Sequence, residues 1–140
     1  MDREALVAEA KTWLGTPFHH AANLKGVGAD CGQWLYQLFL DCGVISPSEI
    51  QPYSLSWAVH TDDNRYIDMI ERYALRVADD DTRPGNIIIF KFGRAYSHGA
   101  LITGWPNIIH IARHDGCCVD DVLNGPLSAR ERVIYSVFED

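Results

Sequence analysis

Several features that would assign a protein to a class at once are scarce in this sequence. Its 140 residues include 12 Lys or Arg against 19 Asp or Glu, which gives a net charge of -7. Such an acidic chain lacks the basic face that nucleic acids require, and it is not attracted electrostatically to anionic membranes or wall polymers. No apolar run approaches the ~20 residues of a membrane span. We therefore expect no nucleic acid partner and no membrane insertion.

Targeting signals and linkers are scarce as well. The first 15 residues, MDREALVAEAKTWLG, have the pattern of an amphipathic helix and not of a signal peptide. Internal repeats, low-complexity tracts and Pro/Gly-rich linkers are lacking too. We therefore expect one domain over residues 1–140, made in the cytoplasm without an export signal.

The four cysteines, Cys31, Cys42, Cys117 and Cys118, form no CxxC pattern. A zinc site is therefore not expected, and reduced thiols are the natural state of such a chain. The glycines around Cys31 also miss the G-x-G-x-x-G pattern, follow no predicted strand and lack a P-loop lysine. We expect neither a metal nor another cofactor.

The apolar periodicity changes from helical to strand-like along the chain. It predicts helices over 2–14, from Cys31 to Gly43, and from Asp62 or Asp63 to Leu75, with an extended crossing over 44–61. Predicted strands follow at 86–92, 97–104, 107–113, 117–122 and 132–138. Helices followed by sequential strands indicate an α+β fold with a largely antiparallel sheet of about five strands.

The stretch GVGADCGQWLYQLF, residues 26–39, places Cys31 directly after Asp30, a good helix N-cap residue. We expect Cys31 to be the first helical residue, where the helix dipole lowers its pKa and free N–H groups can bind an oxyanion. This pattern is typical of a nucleophile. The alternative is a small buried cysteine that only packs at a helix start.

A nucleophilic cysteine needs an imidazole base, which in turn needs a group to orient it. Among the six histidines, His98 and His110 lie on two consecutive predicted strands joined by a short turn. If the paired residue numbers add to an even value, the two rings share one face and His98 is the diagonal neighbour of His110. An odd sum would separate them. The alternative for His110 is a core histidine that donates to a backbone carbonyl.

Five segments resemble one known family in the same order: AKTWLGTPF, GVGADCGQWLYQLFLDCGV, RPGNIIIF, SHGALITG and NIIHIA. The chain resembles the NlpC-type cell-wall cysteine peptidases, which have a compact papain-like fold, and in particular their phage-tail branch. The resemblance implies that Cys31 is the nucleophile, His98 the general base and then acid, and His110 the residue that orients His98. It also implies that the N–H of Cys31 belongs to the oxyanion hole.

The chain departs from this family at one position near the oxyanion. Phe18 stands where the family usually has a tyrosine whose hydroxyl faces the oxyanion. We expect His20 to supply a polar N–H in its place, and we include Phe18, His20 and Asp30 among the oxyanion or substrate-binding candidates. The alternative is that His20 is an ordinary surface residue of the loop.

The resemblance implies hydrolysis of peptidoglycan stem peptides next to D-glutamate and diaminopimelate. It implies delivery on a phage or gene-transfer-particle tail, with tail-tip or hub proteins as partners and the cell wall or periplasm as the place of action. Two alternatives stay open. The chain could be a tail structural module with weakened catalysis, which Phe18 favours, or an intracellular thiol amidase or acyltransferase.

Overall fold

The computed structural model describes residues 1–20, 22–46 and 65–140. The described helices are α1 (Arg3–Lys11), α2 (Gln33–Asp41) and α3 (Arg65–Ile70). The described strands are β1 (Asn23–Leu24), β2 (Gly28–Ala29), β3 (Leu75–Arg76), β4 (Ile87–Phe92), β5 (Ala95–Gly104), β6 (Asn107–Ala112), β7 (Gly116–Asp121) and β8 (Arg132–Ser136). Over these ranges, no helix has the length and apolarity to cross a membrane.

Among the described residues, six strands form the main sheet in the order β3-β8-β4-β5-β6-β7. Each described pair of neighbouring strands in it is antiparallel. The predicted α+β fold with an antiparallel sheet is confirmed, and the five predicted strands are present. The additional strand, β3, is a two-residue edge strand, and β1 and β2 form a separate small ribbon.

The helix boundaries differ from the prediction at several ends. Asp2 caps α1 as expected, because its Oδ1 accepts a hydrogen bond from Ala5 N at 2.8 Å, but α1 ends at Lys11 and not at residue 14. The helix predicted to reach Leu75 ends at Ile70, since Leu75 pairs with Ser136 of β8 instead. The predicted start of that helix and most of the predicted crossing lie outside the described residues.

Both faces of the sheet are covered, which explains the uninterrupted apolar run of β4. Ile87 and Ile89 pack with α1 and α2 on one face, whereas Ile88 and Phe90 belong to a second cluster on the other. The second cluster is completed by Val122 and other side chains from the loop after β7. Because both faces are dry, a polar side chain on the sheet needs a partner. That requirement applies to the two histidines of the site.

Candidate active site

Cys31 reaches the sheet where β5 extends beyond its neighbour. The described pairs between β5 and β6 begin at Leu101 opposite Ile109, which leaves the first half of β5 without a described partner on that side. The Cys31 thiol donates to the Ser97 carbonyl oxygen over 3.8 Å, and the main-chain N–H of Gly99 hydrogen-bonds the sulfur. The Cys31 sulfur therefore hydrogen-bonds main-chain groups of the two residues that flank His98.

The prediction that Cys31 is the first helical residue is wrong by two positions. Regular helix begins at Gln33, and Cys31 and Gly32 form the turn before it. Asp30 does cap this turn, since its Oδ1 accepts from Gly32 N at 3.1 Å and from Gln33 N at 2.8 Å. These two N–H groups are therefore occupied by a carboxylate and not available to an oxyanion.

The thiol of Cys31 also differs from the prediction in its pKa. Burial, and next the charge of Asp30, raise the pKa of the Cys31 thiol to about 12, although the Gly99 N–H acts in the opposite direction. The expected lowering is therefore wrong for the unliganded protein. The main reason is burial, which disfavours the charged thiolate, and the negative charge of the capping Asp30 adds to it against the positive end of the helix.

His98 and His110 lie together, because the structure adopts the even-sum register of the two alternatives. Leu101 lies opposite Ile109 and Ile102 opposite Ile108, so the paired numbers add to an even value, and the two rings share a face. His98 Nε2 lies 2.9 Å from His110 Nδ1, and the ring planes are nearly perpendicular, at 85°. His110 is buried and hydrogen-bonds another ring, which distinguishes it from a histidine that only satisfies a backbone carbonyl.

Burial of the His98 ring lowers its pKa to about 3, and the neighbouring His110 and Arg130 act in the same direction. The imidazole is therefore uncharged at neutral pH. Together with the raised pKa of Cys31, this gives a resting site that holds a neutral thiol and a neutral imidazole. A thiol in this state can act as a nucleophile only if its proton moves to a base such as His98 as the sulfur attacks.

One cavity of about 430 Å³ contains the residues that the sequence singled out: Cys31, His98, His110, Phe18, His20 and Asp30. Phe18 is held there by a β-bridge to Ala29, next to Asp30. His20 is exposed to solvent and contributes to the cavity wall. The structure thus brings the six side chains together from a loop, the start of α2 and two strands.

Sequence reasoning missed two arginines of this cavity. The Arg113 guanidinium lies 5.7 Å from the centre of the Phe18 ring, and that of Arg130 lies 3.6 Å from the centre of the Phe92 ring. Arg113 directly follows β6, the strand that carries His110, and this position in the sequence could have indicated that Arg113 lies near the site. Arg130 belongs to the loop before β8, for which no sequence pattern indicated a site. Both place positive charge at the cavity of an acidic protein.

Gly99, next to His98, has no room for a side chain, because a Cβ there would overlap Tyr66 Oη and lie 2.8 Å from a Leu35 methyl carbon. We expect Gly99→Ala to destabilise the protein by about 1–3 kcal/mol through overpacking. Gly104→Ala, on the same strand but with nothing within 4 Å of the new Cβ, is the matched control and should change stability by about 0.5 kcal/mol or less. Urea denaturation measures both. Equal midpoints for the two variants would contradict this packing.

Comparison with known proteins gives no match to a protein-family profile and none to a curated protein sequence. Solved structures do match. The NlpC/p60 domain of the peptidoglycan hydrolase SagA has a TM-score of 0.70 and 17% identity, covering 96% of this chain and 98% of that one. NlpC2 from Trichomonas vaginalis has a TM-score of 0.71 and 17% identity, covering 96% of this chain and 45% of that one.

RipD from Mycobacterium tuberculosis, described as a non-catalytic NlpC/p60 domain protein adapted to peptidoglycan binding, is a third similar structure. Its TM-score is 0.67 at 14% identity, and 99% of each chain is covered. These three similarities show that this chain has the NlpC/p60 fold, so the predicted papain-like, NlpC-type architecture is confirmed. Because SagA is described as a peptidoglycan hydrolase and RipD as non-catalytic, the shared fold leaves function to be argued from the site.

Proposed function

We propose that this chain is a cysteine endopeptidase that hydrolyses an amide bond in peptidoglycan stem peptides, of the D-glutamyl–diaminopimelate type. The observation that carries the proposal is the arrangement in one cavity of a thiol fixed beside His98 and of His98 hydrogen-bonded to the buried His110. The NlpC/p60 fold supports the choice of peptidoglycan, because SagA, which shares it, is a peptidoglycan hydrolase.

The proposed chemistry begins with attack of the Cys31 sulfur on the scissile carbonyl carbon while His98 takes the thiol proton. The resulting oxyanion is stabilised by the main-chain N–H of Cys31 and by His20, which replaces the hydroxyl that Phe18 lacks. His98 then donates the proton to the leaving amine, and the C–N bond breaks. Water, deprotonated by His98, hydrolyses the thioester and regenerates the thiol, while His110 keeps the His98 ring oriented.

The charge of the cavity supports an acidic peptide as substrate. Arg113 and Arg130 present guanidinium groups there, 5.7 Å from the centre of the Phe18 ring and 3.6 Å from that of the Phe92 ring. Guanidinium groups bind carboxylates with paired hydrogen bonds. Stem peptides with D-glutamate and diaminopimelate carry such carboxylates close to the bond that is cut.

The raised pKa of Cys31 makes a direct prediction for the isolated protein. Because the thiol stays protonated through neutral pH, its alkylation by iodoacetamide should be slow at pH 7 and rise only above the ~8.5 of a free cysteine. Peptide mapping after alkylation at a series of pH values gives the midpoint for Cys31. The same series in denaturant is the control and should return to ~8.5. A native midpoint well below that value would mean a resting thiolate–imidazolium pair instead.

We also propose that the protein is made in the cytoplasm and carried to the wall on a phage or gene-transfer-particle tail, bound to tail-tip or hub proteins. The net charge of -7 supports a carrier, because it offers no electrostatic retention on anionic wall polymers. Quantitative detection of the chain in purified particles tests this. Its absence from particles of a producing strain would reject this mode of delivery but not the chemistry.

A second candidate is a peptidoglycan-binding or tail structural module with weakened catalysis. Two observations favour it: Phe18 has no hydroxyl, and the Cys31 thiol is protonated at rest. RipD, described as non-catalytic, has the same fold. This candidate predicts that the chain sediments with peptidoglycan but releases nothing from it.

The deciding experiment incubates the purified chain with purified peptidoglycan and identifies released peptides by mass spectrometry. The proposal predicts fragments that end at D-glutamate and new amino termini at diaminopimelate. Intact stem peptides together with sedimentation of the chain would favour the binding module. Hydrolysis of small thiol-reactive esters or amides alone, without attack on peptidoglycan, would favour an intracellular amidase or acyltransferase.

A further inference from the structure

A third side chain follows the two histidines across the sheet. In the register of β6 and β7, Ile108 lies opposite Asp120 and His110 opposite Cys118, so Asp120 is the diagonal neighbour of His110. The Oδ2 atom of Asp120 lies 3.3 Å from His110 Nε2. This distance is short enough for a hydrogen bond, but in the structure the two groups are not aligned to form one. His98, His110 and Asp120 therefore form a diagonal row over three consecutive strands.

The surroundings of Asp120 hold its carboxylate in this place. Its other oxygen, Oδ1, accepts a hydrogen bond from Asp121 N at 2.8 Å. The loop after β7 passes so close that a Cβ at Gly125 would overlap Asp120 Oδ1. The Asp120 side chain is 19% exposed and that of His110 only 5%, so the carboxylate faces a buried ring nitrogen.

We propose that Asp120 is a positioning residue that fixes the tautomer of His110 and, through it, the tautomer of His98. A carboxylate accepts hydrogen bonds only, so Asp120 favours a proton on His110 Nε2. In a neutral ring His110 Nδ1 then has no proton and must accept from His98 Nε2–H across the 2.9 Å contact. That arrangement leaves the lone pair on His98 Nδ1, which is the nitrogen free to take the thiol proton.

Without a carboxylate at position 120, the hydrogen bond between the two rings can also run in the opposite direction, from His110 to His98. His110 would carry its proton on Nδ1 and donate it to His98 Nε2, and His98 Nδ1 would then carry a proton and could not act as a base. The ionisable groups that act on His110 are His98 of β5 at 2.9 Å, Asp120 of β7 at 3.3 Å and, through its charge, Asp115 in the turn between β6 and β7. Burial lowers the pKa of His110 more than the two carboxylates raise it, so the ring is neutral at rest.

The tautomers can be read without any substrate, by ¹⁵N NMR of the histidine rings in the full chain. We expect Nε2–H at both His110 and His98 in the parent protein. In Asp120→Asn the amide can also donate to His110 Nε2, and we expect a population with Nδ1–H at both rings. Asp121→Asn, whose side chain binds Leu123 N and does not contact His110, is the matched control and should keep the parent spectrum.

The consequence for catalysis rests on the proposed function. We expect Asp120→Asn to lower kcat about 10- to 100-fold with little change in KM, and Asp120→Glu to restore part of the loss. Parent spectra with Nδ1–H at His110, or Asp120→Asn spectra identical to the parent, would overturn the assignment. If the parent cleaves no stem peptide, the proposed function fails, and the NMR result still decides the role of Asp120.

Discussion

We expect Cys31→Ala to lose the proposed hydrolysis of peptidoglycan stem peptides, with a rate lowered about a thousandfold or more, because Cys31 is the only cysteine among the described residues that line the cavity. The variant should still fold. The thiol makes two weak hydrogen bonds, an S–H···O contact of 3.8 Å to the Ser97 carbonyl oxygen and one from the Gly99 N–H, and it lines the cavity. Release of soluble peptides from purified peptidoglycan, compared at equal protein concentration, measures the loss.

Cys118→Ala is the matched control for this experiment. Cys118 is a partly exposed free cysteine and lies opposite His110 in the β6–β7 register, so it tests whether any thiol near the histidines matters. We expect Cys118→Ala to keep the parent rate within about twofold. Activity that survives in Cys31→Ala, or that is lost equally in both variants, would remove Cys31 from the role of nucleophile.

His98→Asn should lower kcat/KM by about a thousandfold, because proton transfer by a positioned base contributes 10²- to 10⁴-fold. The thiol is protonated at rest, so it depends on this base more than a preformed thiolate would. The exposed His114, in the turn after β6, gives the control variant His114→Asn, which should be indistinguishable from the parent.

The pH profile of the parent adds an independent test of His98. A base with a lowered pKa remains unprotonated as the pH falls, so kcat/KM should stay level below the ~6.5 of an ordinary histidine and decline only at more acidic pH. A decline centred near 6.5 that persists in His98→Asn would assign the titration to another group. A residual rate in His98→Asn that stays level across the whole range would assign the acidic decline to His98, whereas an unchanged decline in the variant would exclude His98 as the base.

The features of the site that follow local rules, such as the alternation of side chains along a strand or the residue preference at a helix start, could be predicted from the sequence. The position of a side chain on a strand alternates with period 2, so parity reduced the choice to two cases, and the even-sum register of the structure selects the one with His98 and His110 on one face. The preference of Asp for helix starts likewise placed the Asp30 cap before α2. These features depend on neighbours in sequence or on a single strand pairing.

Features that depend on distant parts of the chain could not be predicted. The pKa of Cys31 depends on the burial of the sulfur and on the nearby charge of Asp30. Neither can be deduced from the spacing of residues in the sequence. Leu75 has helical neighbours in sequence, yet the free edge of β8 offers its main chain strand hydrogen bonds. Arg130 reaches the site from the loop between β7 and β8, whose path is fixed only by packing, and Asp120 reaches it through the pairing of β7 with β6.

The central claim is that Cys31 forms a covalent bond to the acyl part of a stem peptide. The most direct test mixes the protein with a synthetic stem peptide, quenches the reaction in acid within its first turnovers and maps the added mass. The account predicts the mass of the acyl fragment on the peptide that contains Cys31, and no added mass in Cys31→Ala. Cleavage of the stem peptide without any acyl group on Cys31 would contradict it.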